Sequence, residues 1–368
     1  MENVSSPPRK PDIILLLTTL VLITIGTVMV YSSSSILAIE KFKDGQYFLK
    51  KQIFFVVLGM GMMVLMTKIH YERLKRFAYP GLLVSMVLLS LLLIPHVGIK
   101  AGGATRWLRI GIFSFQVTEM VKIVMVLFLA HLLTRKIKYV TDFKKGVLVP
   151  LSVTILMVIL ILLEPDFGTA VIITSILILM LYLSGCRILH LAGLAALFAP
   201  AGIWLIFHKS YRLERMMSFL DPWKDPSRSG FQIIQSLLSF GSGGTFGVGI
   251  GDSMQKLFYL PEPHTDFILS IIAEEGGFIS VVFVLGFFVI FIIRGFLISF
   301  KAPDLFSTLL AAGLTMLIAL EAFINIAGVM GLIPLKGLAL PFISYGGTSL
   351  IMSLTAVGIL LNISSHTR

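Results

Sequence analysis

The sequence predicts an all-α, polytopic integral membrane protein with ten transmembrane helices. Hydrophobic residues make up 57% of the 368-residue chain and charged residues only 13%, about half of the roughly 25% that is typical of a soluble domain. Ten apolar runs approach or exceed the length needed to cross a hydrocarbon core of ~30 Å. They occupy residues 13–31, 53–66, 78–94, 117–133, 146–163, 169–183, 188–207, 267–293, 305–327 and 348–361.

The order of these runs defines the predicted organisation of the chain. The first run lacks a small-residue cleavage site and is longer than the apolar core of a signal peptide, which predicts a retained first helix. The second, sixth and tenth runs are the shortest. Residues 1–12 and 362–368 are predicted as short cytoplasmic tails that flank one membrane domain at 13–361, and residues 208–265 as a large extracytoplasmic loop between the seventh and eighth helices.

The basic residues predict the orientation of the chain. With a cytoplasmic N-terminus, fifteen lysines and arginines fall in the tails and the even-numbered loops, against eight in the short odd-numbered loops. This bias follows the positive-inside rule and places both termini in the cytoplasm. Because the net charge of +11 is dispersed among short loops and forms no basic stripe with interleaved aromatics, we do not expect nucleic acid as a partner. The single cysteine, Cys186, excludes an intramolecular disulfide.

The polar motifs all fall in odd-numbered loops. They are residues 102–107, 164–169, the long segment 208–265 and residues 341–348. In the predicted orientation all four lie on the extracytoplasmic side of the membrane. Transporters with alternating access often contain repeated halves with interrupted helices, and the sequence shows no convincing internal repeat. Chemistry confined to the outer face is therefore the simpler interpretation.

Asp266 is the first candidate catalytic residue. It ends the polar stretch 260–266 and stands directly before the eighth apolar run. A carboxylate costs on the order of 2.5 to 3.5 kcal/mol in the centre of a membrane even on mild insertion scales, so an acid at this position is expected to have a function. The alternative is structural: Thr265 as a helix N-cap, with Asp266 in a first turn stabilised by the helix dipole.

Glu119 and Lys122 are further candidate catalytic residues. They are three positions apart at the start of the fourth run, so they share one face of a helix at a depth that Asp266 can also reach. A structural ion pair between helices is the alternative. Other polar residues within the runs are predicted either to pack helices together or to line a path for substrate or protons: Glu274, Glu275, Glu321 and Asn325.

Several residues of the outer loops are candidates for substrate binding. Arg106, Arg212, Arg215 and Lys256 can bind phosphate groups, arginine by bidentate pairing and lysine as a point charge; surface anchoring is the alternative for each. The glycine-rich segment 241–251 contains no GxxxxGK[ST] sequence, so it does not predict ATP binding, and we expect it to let the backbone approach a lipid headgroup. The polar motifs supply three more candidates, namely Trp107, His264 and Ser344.

Together these motifs identify a family resemblance over nearly the whole chain. The residues that carry it are Arg106-Trp107, Ser114-Phe115-Gln116, Glu119 and Lys122, followed by the segments 164–169, 261–268 and 337–348. They resemble the SEDS family, the FtsW, RodA and SpoVE proteins of bacterial division, elongation and sporulation. Segments 255–262 and 336–338 look most like the FtsW division branch. Glu164 and Glu321 depart from the pattern, because glutamine is more usual in the family at both positions.

The resemblance implies a ten-helix peptidoglycan glycosyltransferase that polymerises lipid II at the outer face of the bacterial inner membrane, at the division septum. It implies that Asp266 is essential and that the partners are a class B penicillin-binding transpeptidase and other divisome membrane proteins. We expect Asp266 to take the proton of the acceptor GlcNAc 4-hydroxyl while arginine and lysine stabilise the departing diphosphate. A divalent cation, Mg²⁺ or Mn²⁺, can assist the arginine and lysine residues in this role. The alternatives are a lipid II flippase with a path along Glu119, Lys122, Glu274 and Glu321, and a non-enzymatic scaffold for the transpeptidase.

Overall fold

The computed structural model describes residues 10–101, 104–110, 113–208, 210–226, 230–256, 260–261, 263–334 and 337–367. All ten predicted apolar runs lie almost wholly within helices. The helices are α1 (Ile13–Phe42), α2 (Tyr47–Lys68), α3 (Tyr71–Leu74), α4 (Ala78–Leu92), α5 (Val117–Lys136), α6 (Leu148–Leu163), α7 (Phe167–Leu183), α8 (Ile188–Phe207), α9 (Ser210–Leu220), α10 (Phe231–Gly243), α11 (Ile268–Phe300), α12 (Leu305–Val329) and α13 (Gly347–Ser365). Three short strands follow α4: β1 (Gly98–Ala101), β2 (Ala104–Ile110) and β3 (Phe113–Gln116).

The predicted all-α, polytopic class is confirmed. Within the described residues, nine helical stretches are long and apolar enough to cross a membrane, one of them formed by α3 and α4 together across a single 3₁₀ turn. The sixth predicted run corresponds to α7, an apolar helix of 17 residues that is shorter than the other nine. The two remaining helices, α9 and α10, belong to the long segment between α8 and α11.

Three helices form the centre of the bundle. In the most apolar stretches of α5, α12 and α13, 72%, 78% and 83% of the residues are buried, whereas in α8 only 6% are buried. Helix α13 packs against α2, and α12 packs against both α5 and α11. The polar residues of α5 and α12 are therefore enclosed by protein, while α8 faces the membrane on nearly every side.

A small antiparallel sheet follows α4 and was not predicted from the sequence. Strand β2 pairs with both β1 and β3, and Trp107 lies opposite Gln116. Strand β3 runs directly into α5, and the Gln116 backbone N–H donates a hydrogen bond of 3.1 Å to the Thr348 hydroxyl of α13. The sheet thereby fixes Arg106 and Trp107 of β2 over the end of the bundle where α5 and α13 begin.

Helix α11 is broken at Gly277, whose φ of 68° and ψ of −169° are not helical. The glycine-rich segment enters this break, since Val248 and Gly249 donate backbone hydrogen bonds of 3.0 Å to the carbonyls of Glu274 and Glu275. A side chain at Gly247, where φ is 81°, would collide with the Glu275 carbonyl. Gly247 therefore allows two backbones of the same protein to pair. The expectation that this segment also approaches a lipid headgroup stays a prediction, because a side chain at Gly241, Gly244 or Gly251 would meet open space.

The C-terminal end of α13 lies at the end of the bundle opposite to the sheet. Helix α13 ends at Ser365, four residues beyond the end of the predicted membrane domain. Near that end, the Asn362 side chain accepts a hydrogen bond of 2.9 Å from the Tyr71 backbone N–H and donates one of 2.7 Å to the Thr67 carbonyl. Asp12 caps α1 by accepting from the Leu15 N–H at 2.9 Å, and the same carboxylate pairs with Arg294 of α11.

Candidate functional site

Two cavities lie at the end of the bundle where the polar motifs meet. The first cavity has a volume of about 410 Å³. It is lined by residues from four separate parts of the chain: Lys51 and Phe55 of α2; Arg106, Trp107, Ser114, Gln116 and Glu119; Thr265 and Asp266; and Gly337, Leu338, Ala339, Tyr345, Gly346, Gly347 and Ser349. The odd-numbered loops thus converge on one end of the bundle, as the sequence predicted.

Asp266 lies at the wall of the first cavity, in the turn that precedes α11, and is partly exposed. The N-cap of α11 is Phe267, with no side-chain cap and no acid in the first turn, so the capping alternative for Thr265 and Asp266 is wrong. The Asn325 amide of α12 donates to the Asp266 carbonyl at 2.9 Å and to the Leu338 carbonyl at 2.6 Å. These bonds fix the backbone of the acid against the loop that precedes α13.

His264 and Ser344 shape the turn that carries Asp266. The Ser344 hydroxyl donates to the Thr265 carbonyl at 2.6 Å and accepts from the Leu340 N–H at 2.8 Å. His264 is 4% exposed, and its ring packs 4.5 Å from the Phe48 ring. Burial lowers the pKa of His264 to about 4, with a smaller contribution from the charge of Lys41, so the imidazole is neutral near pH 7. Neither His264 nor Ser344 is among the described residues that line the first cavity.

Glu119, Lys122 and Glu321 form a buried triad directly beneath the first cavity. Their exposed fractions are 7%, 2% and 5%. The Lys122 ammonium donates to the Glu119 carboxylate at 2.9 Å and also to the Glu321 carboxylate of α12. Glu119 lines the first cavity as well, so the ion pair considered for Glu119 and Lys122 exists and its acid also faces the site. The structure is therefore compatible with both interpretations of Glu119, as a member of a structural ion pair and as a residue of the candidate site.

Arg106 lines both cavities. The second cavity has a volume of about 320 Å³ and is lined by Arg106, Arg212 and Arg215. Its remaining wall is Asp166 together with Pro165, Phe167, Gly168, Val171, Ile206, Met216 and Pro334. Arg106 pairs with the Asp166 carboxylate at 3.3 Å. Three of the four arginine and lysine candidates therefore lie together, beside an apolar wall.

The α9 helix presents Arg212 and Arg215 to the second cavity. The Arg212 guanidinium donates to the Leu205 carbonyl at 3.0 Å and lies 5.2 Å from the centre of the Phe167 ring. Arg212 is 8% exposed, whereas Arg215 is exposed. The carbonyl and the ring orient Arg212, so that its charge is fixed in place before any ligand arrives.

Lys256, the fourth candidate, is placed elsewhere. It is 7% exposed, pairs with the Glu275 carboxylate at 3.1 Å and donates to the Gly251 carbonyl. The Ser32 hydroxyl of α1 donates to the same carboxylate at 2.7 Å. Lys256 lines neither of the two cavities within the described part of the chain. Its observed contacts hold the glycine-rich segment against α11.

Two polar residues that line the first cavity, Lys51 and Gln116, are not among the predicted site residues. Lys51 lines the first cavity, and its ammonium donates to the Tyr47 hydroxyl at 2.6 Å. The sequence feature that could have identified Lys51 is its position in an odd-numbered loop, just before the second apolar run. Gln116 also lines the first cavity and stands in the motif that precedes α5. Both groups can contact a polar ligand beside Asp266 and Glu119.

Glu164 directly precedes Pro165 and Asp166 of the second cavity and is 1% exposed. Neither oxygen of its carboxyl group has a hydrogen-bond partner in the described structure, and neither does the Arg106 Nε. Burial raises the pKa of Glu164 to about 8, and the neighbouring Asp166 carboxylate contributes to the rise while Arg106 opposes it. Glu164 is therefore mostly protonated at pH 7.

The described residues contain no group of three or more His, Cys, Asp or Glu side chains arranged to hold a metal ion. Mg²⁺ is usually held by only one or two protein carboxylates together with water and substrate phosphates. Asp266 and Glu119 are the carboxylates that line the first cavity.

Comparison with known proteins gives matches over nearly the whole chain. The model of the family described as "Cell cycle protein", FTSW_RODA_SPOVE, matches residues 13–368. The "Probable peptidoglycan glycosyltransferase FtsW" of Trichlorobacter lovleyi is 46% identical over 364 residues, which cover 97% of this chain and 95% of the relative. "Stage V sporulation protein E" of Bacillus subtilis is 42% identical over 359 residues, with 98% of both chains covered.

Solved structures show the same fold. A chain from "Structural coordination of polymerization and crosslinking by a peptidoglycan synthase complex" aligns with a TM-score of 0.79 at 30% identity, covering 96% of this chain and 97% of that one. The rod shape determining protein RodA of Thermus thermophilus aligns with a TM-score of 0.70 at 27% identity, covering 96% of both chains.

Proposed function

The chain belongs to the FtsW, RodA and SpoVE family, and we propose that it is a peptidoglycan glycosyltransferase that polymerises lipid II into glycan strands during cell division. The observation that carries the proposal is the position of Arg106, which lines both cavities. A site that transfers a sugar from a diphosphate needs a base at the acceptor hydroxyl and positive charge at the leaving group. Asp266 and Glu119 line the first cavity, and Arg106, Arg212 and Arg215 line the second.

Asp266 is the general base of this mechanism. Its carboxylate accepts the proton of the GlcNAc 4-hydroxyl as that oxygen bonds to the anomeric carbon of the donor sugar, while the bond from the anomeric carbon to the diphosphate oxygen breaks. The electron pair of the broken bond leaves with undecaprenyl pyrophosphate. The first cavity is wide enough for a sugar ring, and Asn325 fixes the backbone of the base at 2.9 Å.

The second cavity binds the diphosphate in this proposal. Arg106, Arg212 and Arg215 can form bidentate hydrogen bonds with phosphate oxygens, and charge placed there in advance stabilises the leaving group as its negative charge develops. The apolar wall formed by residues such as Val171, Ile206 and Met216 suits the first isoprene units of a tail that stays in the bilayer. Arg106 joins the two parts because it also reaches the sugar cavity.

Glu119, Lys122 and the remaining candidates support the reacting groups. Lys122 holds Glu119 in the wall of the cavity at 2.9 Å, where the carboxylate can bind acceptor hydroxyls beside Asp266. Trp107 lines the same cavity and offers an aromatic surface to the sugar. His264 and Ser344 act through the backbone of the turn, and Lys256 acts through the position of α11.

A divalent cation, Mg²⁺ or Mn²⁺, fits the donor set of the first cavity. Asp266 and Glu119 would hold it together with substrate phosphate oxygens, since Mg²⁺ commonly takes one or two protein carboxylates. When bound it would add positive charge against the diphosphate. The arginines of the second cavity would bind the same group from the other side.

The closed centre of the bundle favours polymerisation over lipid flipping. Between Glu119, Lys122 and Glu321 the described residues leave a cavity of only about 10 Å³, which has room for about one water molecule at most. A flippase needs a route for a disaccharide headgroup through this region. The two large cavities instead lie at one end of the bundle. A non-enzymatic scaffold needs no cavities lined by acids and arginines, so their presence favours an enzyme.

The proposal includes a partner and a location. One similar structure concerns the coordination of polymerisation and crosslinking in a synthase complex. We therefore propose that this chain works beside a class B penicillin-binding transpeptidase and other divisome membrane proteins, and that it acts at the septum in the bacterial inner membrane.

A polymerisation assay with purified components tests the proposal. The protein, alone and with its cognate transpeptidase, receives lipid II in detergent, and glycan polymer is measured on a gel. We expect polymer with the wild-type chain and with a transpeptidase-inactive partner, and none with Asp266→Ala. Asp252→Ala is the matched control, because Asp252 is an exposed acid of the long loop outside both cavities. Lipid translocation in vesicles without polymer under any condition would contradict the proposal.

A further inference from the structure

The buried carboxyl group of Glu164 lies two residues before Asp166, which lines the second cavity and pairs with Arg106. Glu164 follows the last residue of α6, is 1% exposed, and neither of its oxygens has a hydrogen-bond partner in the described structure. Buried polar groups almost always have partners, so an unpaired one requires an explanation. An unpaired carboxyl group two residues from the acid that pairs with Arg106 can affect the charge that this arginine presents to a ligand.

The neighbours of Glu164 define that effect. Asp166, in the same turn, accepts from the Thr169 N–H at 3.1 Å and from the Thr169 hydroxyl at 2.8 Å, and pairs with Arg106 at 3.3 Å. Asp166 thus has partners for its charge, whereas Glu164 has none. The Nε of Arg106 is likewise buried without a partner, so the guanidinium can form one more hydrogen bond than it forms here.

On the basis of the function proposed above, we propose that Glu164 is a positioning residue that controls how strongly Arg106 binds the diphosphate of the substrate. While Glu164 is neutral, Arg106 is shared only between Asp166 and the diphosphate. When Glu164 is ionised, its carboxylate competes with the diphosphate for the guanidinium and adds a second negative charge behind it. Substrate binding therefore weakens when Glu164 loses its proton.

Glu164 titrates in a useful range, since burial and Asp166 raise its pKa to about 8. Among the described residues that line the second cavity, the charged ones are Asp166 from the same turn as Glu164, Arg106 from β2, and Arg212 and Arg215 from α9. Arginine stays protonated throughout the range from pH 7 to 9. The expected sign is thus weaker binding of the diphosphate as pH rises from 7 to 9.

The test compares the wild-type chain with Glu164→Gln, which keeps the shape of the side chain and cannot ionise. Two quantities are measured between pH 6.5 and 9.5: the KM for lipid II in the polymerisation assay, and the dissociation constant for undecaprenyl pyrophosphate in detergent. We expect both constants of the wild type to rise by about tenfold toward pH 9.5, the size of a typical coupling between two interacting sites, and those of Glu164→Gln to change less than twofold. Glu214→Gln, which changes an exposed acid of α9, should follow the wild-type profile.

Two results would overturn the proposal. One is a parallel pH dependence of the wild type and Glu164→Gln. The other is a large loss of affinity in Glu164→Gln already at pH 7, which would mean that the carboxylate form is needed. The binding measurement does not depend on turnover, so it remains informative if no polymer forms. Absence of polymer would count against the proposed function, whereas equal pH dependence of binding in the two proteins would count against this inference.

Discussion

Replacing Lys122 by methionine tests whether the buried triad stabilises the fold. Lys122 is 2% exposed and is the cation between two carboxylates that are 7% and 5% exposed, Glu119 and Glu321. Methionine keeps the length and apolar stem of the side chain but removes the charge. Two largely buried acids then lie close together without the cation that contacts both of them.

The expected loss is large. Removing one partner of a buried ion pair typically costs about 3–5 kcal/mol, because the remaining charge is left uncompensated. Uptake of a proton by one of the two acids keeps the cost within this range. We therefore expect Lys122→Met to lower the free energy of unfolding by about 3–5 kcal/mol.

The measurement is equilibrium unfolding in mixed detergent micelles, followed by tryptophan fluorescence. The triple variant Glu119→Gln/Lys122→Met/Glu321→Gln removes all three charges together and should recover most of the loss, as neutral replacements of buried ion pairs often do. Lys68→Met changes an exposed lysine at the end of α2 and should alter stability by less than about 0.5 kcal/mol. A loss below about 1 kcal/mol for Lys122→Met, or a triple variant no more stable than the single one, would refute the reasoning.

Two further substitutions test how the turn at the active site is held. Gly26→Ala should destabilise the fold by about 1–3 kcal/mol and reduce polymerisation, because the new methyl group would lie 2.6 Å from the Ile343 Cα. Gly61→Ala is the control, because nothing lies within 4 Å of the methyl group that it adds. Equal thermal stability of the two variants would contradict the packing argument. Asn325→Leu removes the hydrogen bond of 2.9 Å to the Asp266 carbonyl. It should lower kcat by about tenfold or more and change KM by less than twofold. Steady-state kinetics that show an unchanged kcat would contradict this prediction.

Much of the fold could be predicted because membrane helices leave a strong local signal. The apolar runs that predict ten helices all fall in helices, and the convergence of the odd-numbered loops follows from their parity alone. The pairing of Glu119 with Lys122 was also accessible, since three positions on a helix bring two side chains together. These inferences depend on neighbours in the sequence or on the side of the membrane.

The rest depends on contacts between distant segments. Glu321 reaches Lys122 across 199 positions, and no local pattern indicates that partner. The three-stranded sheet consists of strands of four to seven residues, too short for a periodic signal. Gly277 lies inside an apolar run that predicts one continuous helix. The helix is broken at Gly277 where the distant segment around Gly247 pairs with its backbone. Lys256 was grouped with the arginines for its charge, although its partner Glu275 lies on α11.

The most direct test of the account is the rate of one catalytic event with Asp266→Asn. Asparagine keeps the size of the side chain but cannot accept the proton of the sugar hydroxyl, and a general base contributes about 10²–10⁴-fold to the rate. With saturating lipid II and an active partner, we predict that single-turnover polymerisation falls by about that factor, while the dissociation constant for lipid II changes less than twofold. A rate within tenfold of the wild type would contradict the assignment of Asp266 as the base.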